Sequence, residues 1–119
     1  MRRNKIAAGL VVVAVGAGGV ATTSSNARPA ATYSLSASGT ALKFNKSTIR
    51  ARAGSVTLRL TNRSSLPHNV GIKGRGVGRT VSRNGVSTYT ARLRRGTYTF
   101  YCGVGQHERQ GMRGRLIVG

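Results

Sequence analysis

The sequence predicts an all-β domain, a sandwich of about seven to eight short strands, and three observations carry that expectation. The chain breaks into short runs rich in Thr, Val, Leu and Tyr, separated by Gly, Asn, Ser or Pro, which is the cadence of strands and turns. Apolar and polar residues alternate with a period of two in several of these runs, and no segment carries a helical period. With 119 residues the chain has room for one domain, and roughly 100 residues is a usual size for such a sandwich.

Residues 1–27 stand apart from this pattern. Arg2, Arg3 and Lys5 form a positive start, residues 6–21 are uncharged and small or apolar, and Ser25-Asn26-Ala27 supplies small residues at a cleavage site. That order reads as a secretory signal peptide over residues 1–27, and it implies export to the periplasm, the cell surface or the outside. A cut after Ala21 also fits, because Gly19-Val20-Ala21 has the same character. A retained anchor is the competing reading, but a membrane span needs about 20 predominantly apolar residues. This run is shorter and is interrupted by Gly9, Gly16, Gly18 and Gly19. The pair Arg2-Arg3 leaves a twin-arginine export route open.

Residues 28–40 form an N-terminal lead and the first strand, expected at 33–37, and residues 41–119 form the remainder of the single domain. Further strands are expected at 41–44, 48–53, 55–61, 68–73, 86–93, 97–102 and 113–118. Alternation sorts their faces: Val56, Leu58 and Leu60 fall on one side and Thr57, Arg59 and Thr61 on the other, as in half-buried antiparallel strands. The same rule turns Ile49, Ala51 and Ala53 inward and Arg50 and Arg52 outward. Residues 73–84, with Gly74, Gly76 and Gly78 among Lys73, Arg75 and Arg79, read as a mobile loop. A phosphate cradle would need a helix after those glycines, and no helical pattern follows.

Twenty Lys and Arg oppose one acidic residue, Glu108. Such basicity first suggests nucleic acid, whose affinity is dominated by phosphate neutralisation, but an export signal argues against that partner. Loss of residues 1–27 removes Arg2, Arg3 and Lys5 and leaves 17 basic residues against Glu108, a net charge of +16. The excess therefore belongs to the domain itself.

Cys102 is the only cysteine, so no internal disulfide forms, and a lone thiol outside the cytoplasm needs protection from oxidation. Burial as a small apolar residue supplies it; so does a metal. Beyond the first 27 residues the chain holds two His (His68, His107), one Cys (Cys102) and one Met (Met112). Two imidazoles, a thiolate and a long axial thioether are the donors of a blue-copper electron-transfer site. The spacing is Cys-x4-His-x4-Met between two predicted strands, with His68 from a strand far upstream. Strand parity turns Cys102 inward with Tyr98 and Phe100, His68 with Val70 and Ile72, and Met112 with Leu116 and Val118. Each residue alone has an ordinary structural explanation; type, order and spacing together favour one type 1 copper ion held by His68, Cys102, His107 and Met112.

Leu66-Pro67-His68-Asn69-Val70 and the run from Gly96-Thr97-Tyr98-Thr99-Phe100-Tyr101-Cys102 through His107 to Met112-Arg113-Gly114 resemble the cupredoxin family, of the plastocyanin and pseudoazurin type. The likeness extends from about Leu42 to the C-terminus. It implies a Greek-key β-sandwich with copper at one end, a role for Asn69 in tying the two ligand loops together near the thiolate, and an exposed ring edge of His107 as the electron port. Pro67 stands where the azurin branch has a glycine that adds an axial contact, so four ligands are expected. The Cys-to-His interval is longer than in plastocyanin, and Trp is absent.

These observations lead to an electron carrier without enzymatic activity, since both histidines are already assigned and the chain has no Asp for a Ser-His-Asp set. Zinc is disfavoured because a thioether is a poor zinc ligand. A copper carrier or resistance protein is the alternative, although Met-rich or His-rich tracts are missing. A metal-free module adhering to anionic cell-surface polymer is a third reading. A monomer is expected, and the charge should steer it toward an acidic redox protein, an anionic envelope polymer or a membrane surface.

Overall fold

The computed structural model describes residues 30–119, so the signal peptide expected over residues 1–27 lies outside the described residues. Among them run eight strands: β1 (Ala31–Gly39), β2 (Thr48–Ala51), β3 (Gly54–Ser64), β4 (Gly71–Ile72), β5 (Gly76–Val77), β6 (Val86–Leu93), β7 (Gly96–Tyr101) and β8 (Arg113–Val118). They form a three-stranded sheet in the order β1-β3-β6 and a five-stranded sheet in the order β2-β8-β7-β4-β5. Apart from the β4/β5 and β7/β8 hairpins, strands next to each other in sequence lie in opposite sheets, the connectivity of a Greek-key sandwich.

The core follows from period-two alternation. In β3, Val56, Leu58 and Leu60 are fully buried, and from the other sheet Ile72, Phe100 and Leu116 meet them. The inward parity of β3 continues into Asn62 and Ser64, which are fully buried as well. Polar groups survive there because they satisfy one another. Asn62 Nδ2 donates to the carbonyls of Leu66 (2.8 Å) and Val81 (2.9 Å), and its Oδ1 accepts from the backbone and hydroxyl of Ser64, both at 2.9 Å.

Three expectations need correction. Residues 41–44 form no strand and bend at Leu42 and Lys43: Asn45 N donates to Ser36 O and Ser36 N to Asn45 Oδ1, both at 2.9 Å, so the chain turns there and still inserts Phe44 into the core. The strand expected at 68–73 shrinks to β4 plus one bridge between His68 and Val81. The stretch expected to be a mobile loop instead contains β5, which pairs with β4, and supplies Val81 to that bridge. In addition, not every pairing is antiparallel, since β1 joins β3 and β2 joins β8 in parallel. Because β1, β2 and β3 alternate between sheets, two successive chain reversals return β3 to the direction of β1.

Gly114 is a point of close packing in the five-stranded sheet. It pairs with Phe100 across β7 and β8. A Cβ there would lie 2.7 Å from Ser47 O and closer still to the Phe100 ring. Phe100 is itself fixed against Phe44, with ring centroids 5.4 Å apart. Gly114→Ala should therefore cost about 1–3 kcal/mol by overpacking, measured by denaturant unfolding. Combining it with Phe100→Leu, which vacates that space, should cost less than the sum of the two single changes.

Candidate metal centre

β7 ends at Tyr101, and the next residue, Cys102, keeps the inward parity of Phe100 and is fully buried. Cys102 N donates to Met112 O at 3.1 Å, one rung beyond the last β7/β8 pair, so the segment between them must fold back as a closed loop. Successive turns shape it: His107 N donates to Val104 O (3.0 Å), Gly111 N to Glu108 O (3.0 Å) and Met112 N to His107 O (3.0 Å). Gly111 has a φ of 111°, a conformation open to glycine that lets the chain leave this turn and enter β8. Met112 is fully buried in the core cluster that contains Cys102.

His68 arrives from between β3 and β4. Its N–H donates to Val81 O (3.1 Å) and its carbonyl accepts from Val81 N (2.9 Å). Asn62 donates to the same Val81 oxygen, so the buried polar network of β3 holds the frame on which His68 is mounted. The imidazole is fully buried, whereas that of His107 is partly exposed. Cys102 Sγ lies 3.9 Å from His68 Nδ1 and 3.6 Å from His107 Nδ1, and the two rings meet edge to face with centroids 5.0 Å apart. One donor atom from each of the three residues lies within 4.8 Å of the others.

Asn69 joins the two ligand segments. Its backbone N–H points at Cys102 Sγ (3.5 Å), its Oδ1 accepts from Gly103 N (2.6 Å), and its Nδ2 donates to Thr80 Oγ1 (3.0 Å). Val81, Thr80 and Gly103 thus support the cluster. None was legible in the sequence, because the backbone hydrogen-bonding roles of Val81 and Gly103 leave no mark on residue type and Thr80 is one of many threonines; only an inward-facing Asn62 and Ser64 at the end of β3 could have signalled a polar frame.

The donor set fits a first-row transition metal. An ion bonded at about 2.3 Å to sulfur and about 2.0 Å to nitrogen separates those donors by roughly 3.5–3.8 Å in tetrahedral or trigonal geometry. The observed 3.6 and 3.9 Å fall around that value before any adjustment.

Burial first, and the facing His107 second, hold the His68 imidazole below its usual 6.5. Its Nε2 has no hydrogen-bond partner among the described residues, which adds to the cost of charging the ring. In the unfolded chain the imidazole regains its ordinary basicity, so below about pH 6.5 the unfolded state binds more protons and stability falls with falling pH. The metal-free protein should accordingly lose stability as pH falls through about 6.5, read from denaturant midpoints, and His68→Gln should flatten that slope.

No curated protein matches the chain. Among solved structures, auracyanin from the photosynthetic bacterium Roseiflexus castenholzii aligns at 21% identity over 74% of this chain and 96% of its own, with a TM-score of 0.66. Auracyanin A, a "blue" copper protein from Chloroflexus aurantiacus, aligns at 22% identity over 76% of this chain and 100% of its own, with a TM-score of 0.67. A methionine-to-leucine mutant of amicyanin aligns at 21% identity over 72% of this chain and 80% of its own, with a TM-score of 0.53. At these identities the likeness establishes a shared fold. The sequence model of the cupredoxin-like domain matches residues 10–118, and with the two-sheet sandwich this makes the chain a member of the cupredoxin-like domain family.

Proposed function

We propose that this is an exported type 1 copper protein that carries single electrons between redox partners. Its ligands are His68 Nδ1, Cys102 Sγ, His107 Nδ1 and the thioether of Met112. The observation that carries the reading is the approach of two imidazole nitrogens to one buried thiol, at 3.6 and 3.9 Å, at the end of a closed sandwich. When bound by such a set, copper takes up and gives back one electron.

The residues around the site suit that task. His68 and Cys102 are anchored by backbone hydrogen bonds to Val81 and Met112, so little needs to rearrange when charge changes. The Asn69 N–H directed at Sγ tunes the potential. Partly exposed His107 is the contact through which electrons enter and leave. Membership of the cupredoxin-like family and the "blue" copper chemistry of auracyanin A support the same reading. Copper is favoured over zinc because Met112 adds a soft thioether to the set.

The domain is proposed to act as a monomer outside the cytoplasm, released by cleavage of residues 1–27. Its charge of +16 after cleavage fits an acidic redox partner and a salt-dependent encounter, with anionic envelope polymer or membrane as a secondary attraction.

Copper reconstitution tests the reading. The loaded protein should show intense thiolate-to-copper visible absorption and the matching paramagnetic resonance signal. Cys102→Ala should abolish the absorption, while Met112→Leu should keep it and raise the reduction potential, because the axial donor is lost. Absence of the band in the unmodified protein would point to zinc or no metal. Bound copper should also cycle reversibly between oxidation states without leaving, and release on reduction would identify a copper carrier. Transfer to an acidic partner should slow as ionic strength rises; a rate independent of salt would remove steering from the account.

A further inference from the structure

The outward faces of the two sheets carry charge differently. On the three-stranded sheet, Arg59, Arg63 and Arg92 are exposed among serines and threonines of β1, β3 and β6. On the five-stranded sheet the cations converge on a groove lined by Lys73, Arg113 and Arg115 with Thr99, Gly114 and Glu108. The register explains the convergence. Arg113 and Arg115 are two residues apart on β8 and share its outward face, and Arg115 pairs with Thr99 on β7. Lys73 N donates to Thr99 O at 2.8 Å, which brings the lysine in from the β4 side.

The groove already holds one carboxylate. Glu108 is the only acidic residue of the chain, and it forms the single ion pair among the described residues, Lys73 Nζ to Glu108 Oε1 at 2.5 Å. Its side chain is 20% exposed, against 57% for the lysine, so the carboxylate is the more enclosed of the two. Arg113 and Arg115 have no such partner among the described residues. Planar guanidinium forks bind carboxylates in a bidentate manner, and a concave cationic surface suits a protruding acidic segment better than a flat membrane. Glu108 directly follows His107, so the groove adjoins the loop that carries the partly exposed imidazole.

We propose that this groove is the docking site for an acidic segment of the redox partner, with Arg113 and Arg115 taking two of its carboxylates and Lys73 shared between Glu108 and a third. The identity of the partner rests on the electron-carrier reading; the carboxylate chemistry rests on the groove. Glu108 is then an internal competitor that occupies part of the site until the partner arrives.

The test uses the copper-loaded protein titrated with a hexaglutamate peptide, with hexaglutamine as control, at low ionic strength by calorimetry and amide chemical shifts. Arg113→Glu with Arg115→Glu should weaken hexaglutamate binding roughly tenfold or more. Arg59→Glu with Arg63→Glu, which changes net charge equally, should weaken it by less than about threefold. Arg113→Gln with Arg115→Gln should give a smaller loss in the same direction, which keeps the test informative if charge reversal disturbs folding. Glu108→Gln should tighten binding about two- to fivefold by freeing Lys73. Equal losses from the two arginine pairs, weaker binding by Glu108→Gln, or tighter binding of phosphatidylglycerol vesicles than of peptide through Arg113 and Arg115 would each overturn the proposal. The visible band of the same samples reads the metal site separately. Localised peptide binding without the band counts against the electron carrier, and the band with unlocalised binding counts against the groove.

Discussion

The hydrogen bond from Cys102 N to Met112 O holds together the end of the sandwich where the candidate ligands meet. It extends the β7/β8 ladder by one rung beyond Tyr101 and Arg113. The chain between Cys102 and Met112 then has no route except a closed loop, and the turns within it direct His107 back toward Cys102 Sγ. Without that rung the thiol and the second imidazole would belong to a segment tethered only at its ends. Fixing a short loop to a rigid two-strand frame limits the entropy lost when the donors are brought together, which is why a site on this loop can be narrow in geometry.

The first histidine depends on a different device. His68 belongs to a segment with almost no regular strand, so its position is carried by polar groups. The pair of hydrogen bonds to Val81, and the Asn62 side chain that bonds Val81 and Leu66, replace the ladder that a longer strand would have provided. Buried amides are costly unless fully paired, and here the pairing fixes both the chain before His68 and the strand-like segment after β5. Asn69 then links this frame to Gly103 and the thiol, so the two halves of the site are joined through hydrogen bonds rather than through apolar contact alone.

Charge is layered over this frame with little effect on the fold. The described arginines lie in loops and on outward strand faces, where water and salt screen them, and the buried polar residues are few: Asn62 and Ser64, which pair with each other, Ser87, and His68 and Asn69 at the candidate site. Lys73 and Glu108 are the exception, because they pair the β4/β5 hairpin with the loop of His107. The one carboxylate of the chain thus lies where charge and the candidate metal site adjoin.

Alternation alone located most strands. The bounds of β6 and β8 agree with the runs at 86–93 and 113–118, and the inward set Val56, Leu58 and Leu60 is buried as its spacing requires. The same reasoning failed at 41–44, where Asn45 turns the chain by a contact with Ser36, and at 73–84, where glycines suggested freedom that pairing with β4 removes. What the amino-acid order determined by itself was local: which residues face inward, where turns fall, and that only one set of soft donors is available. Whether Cys102 Sγ faces His68 Nδ1 and His107 Nδ1, and through which of Val81, Asn62, Asn69 and Gly103 it is held there, only the tertiary structure decided. Period and residue type are properties of neighbours along the chain, whereas the contacts of Cys102 with His68 and Asn69, and of Asn69 with Gly103, join residues 33 or 34 positions apart, and backbone hydrogen bonds impose no residue identity that a single sequence could reveal.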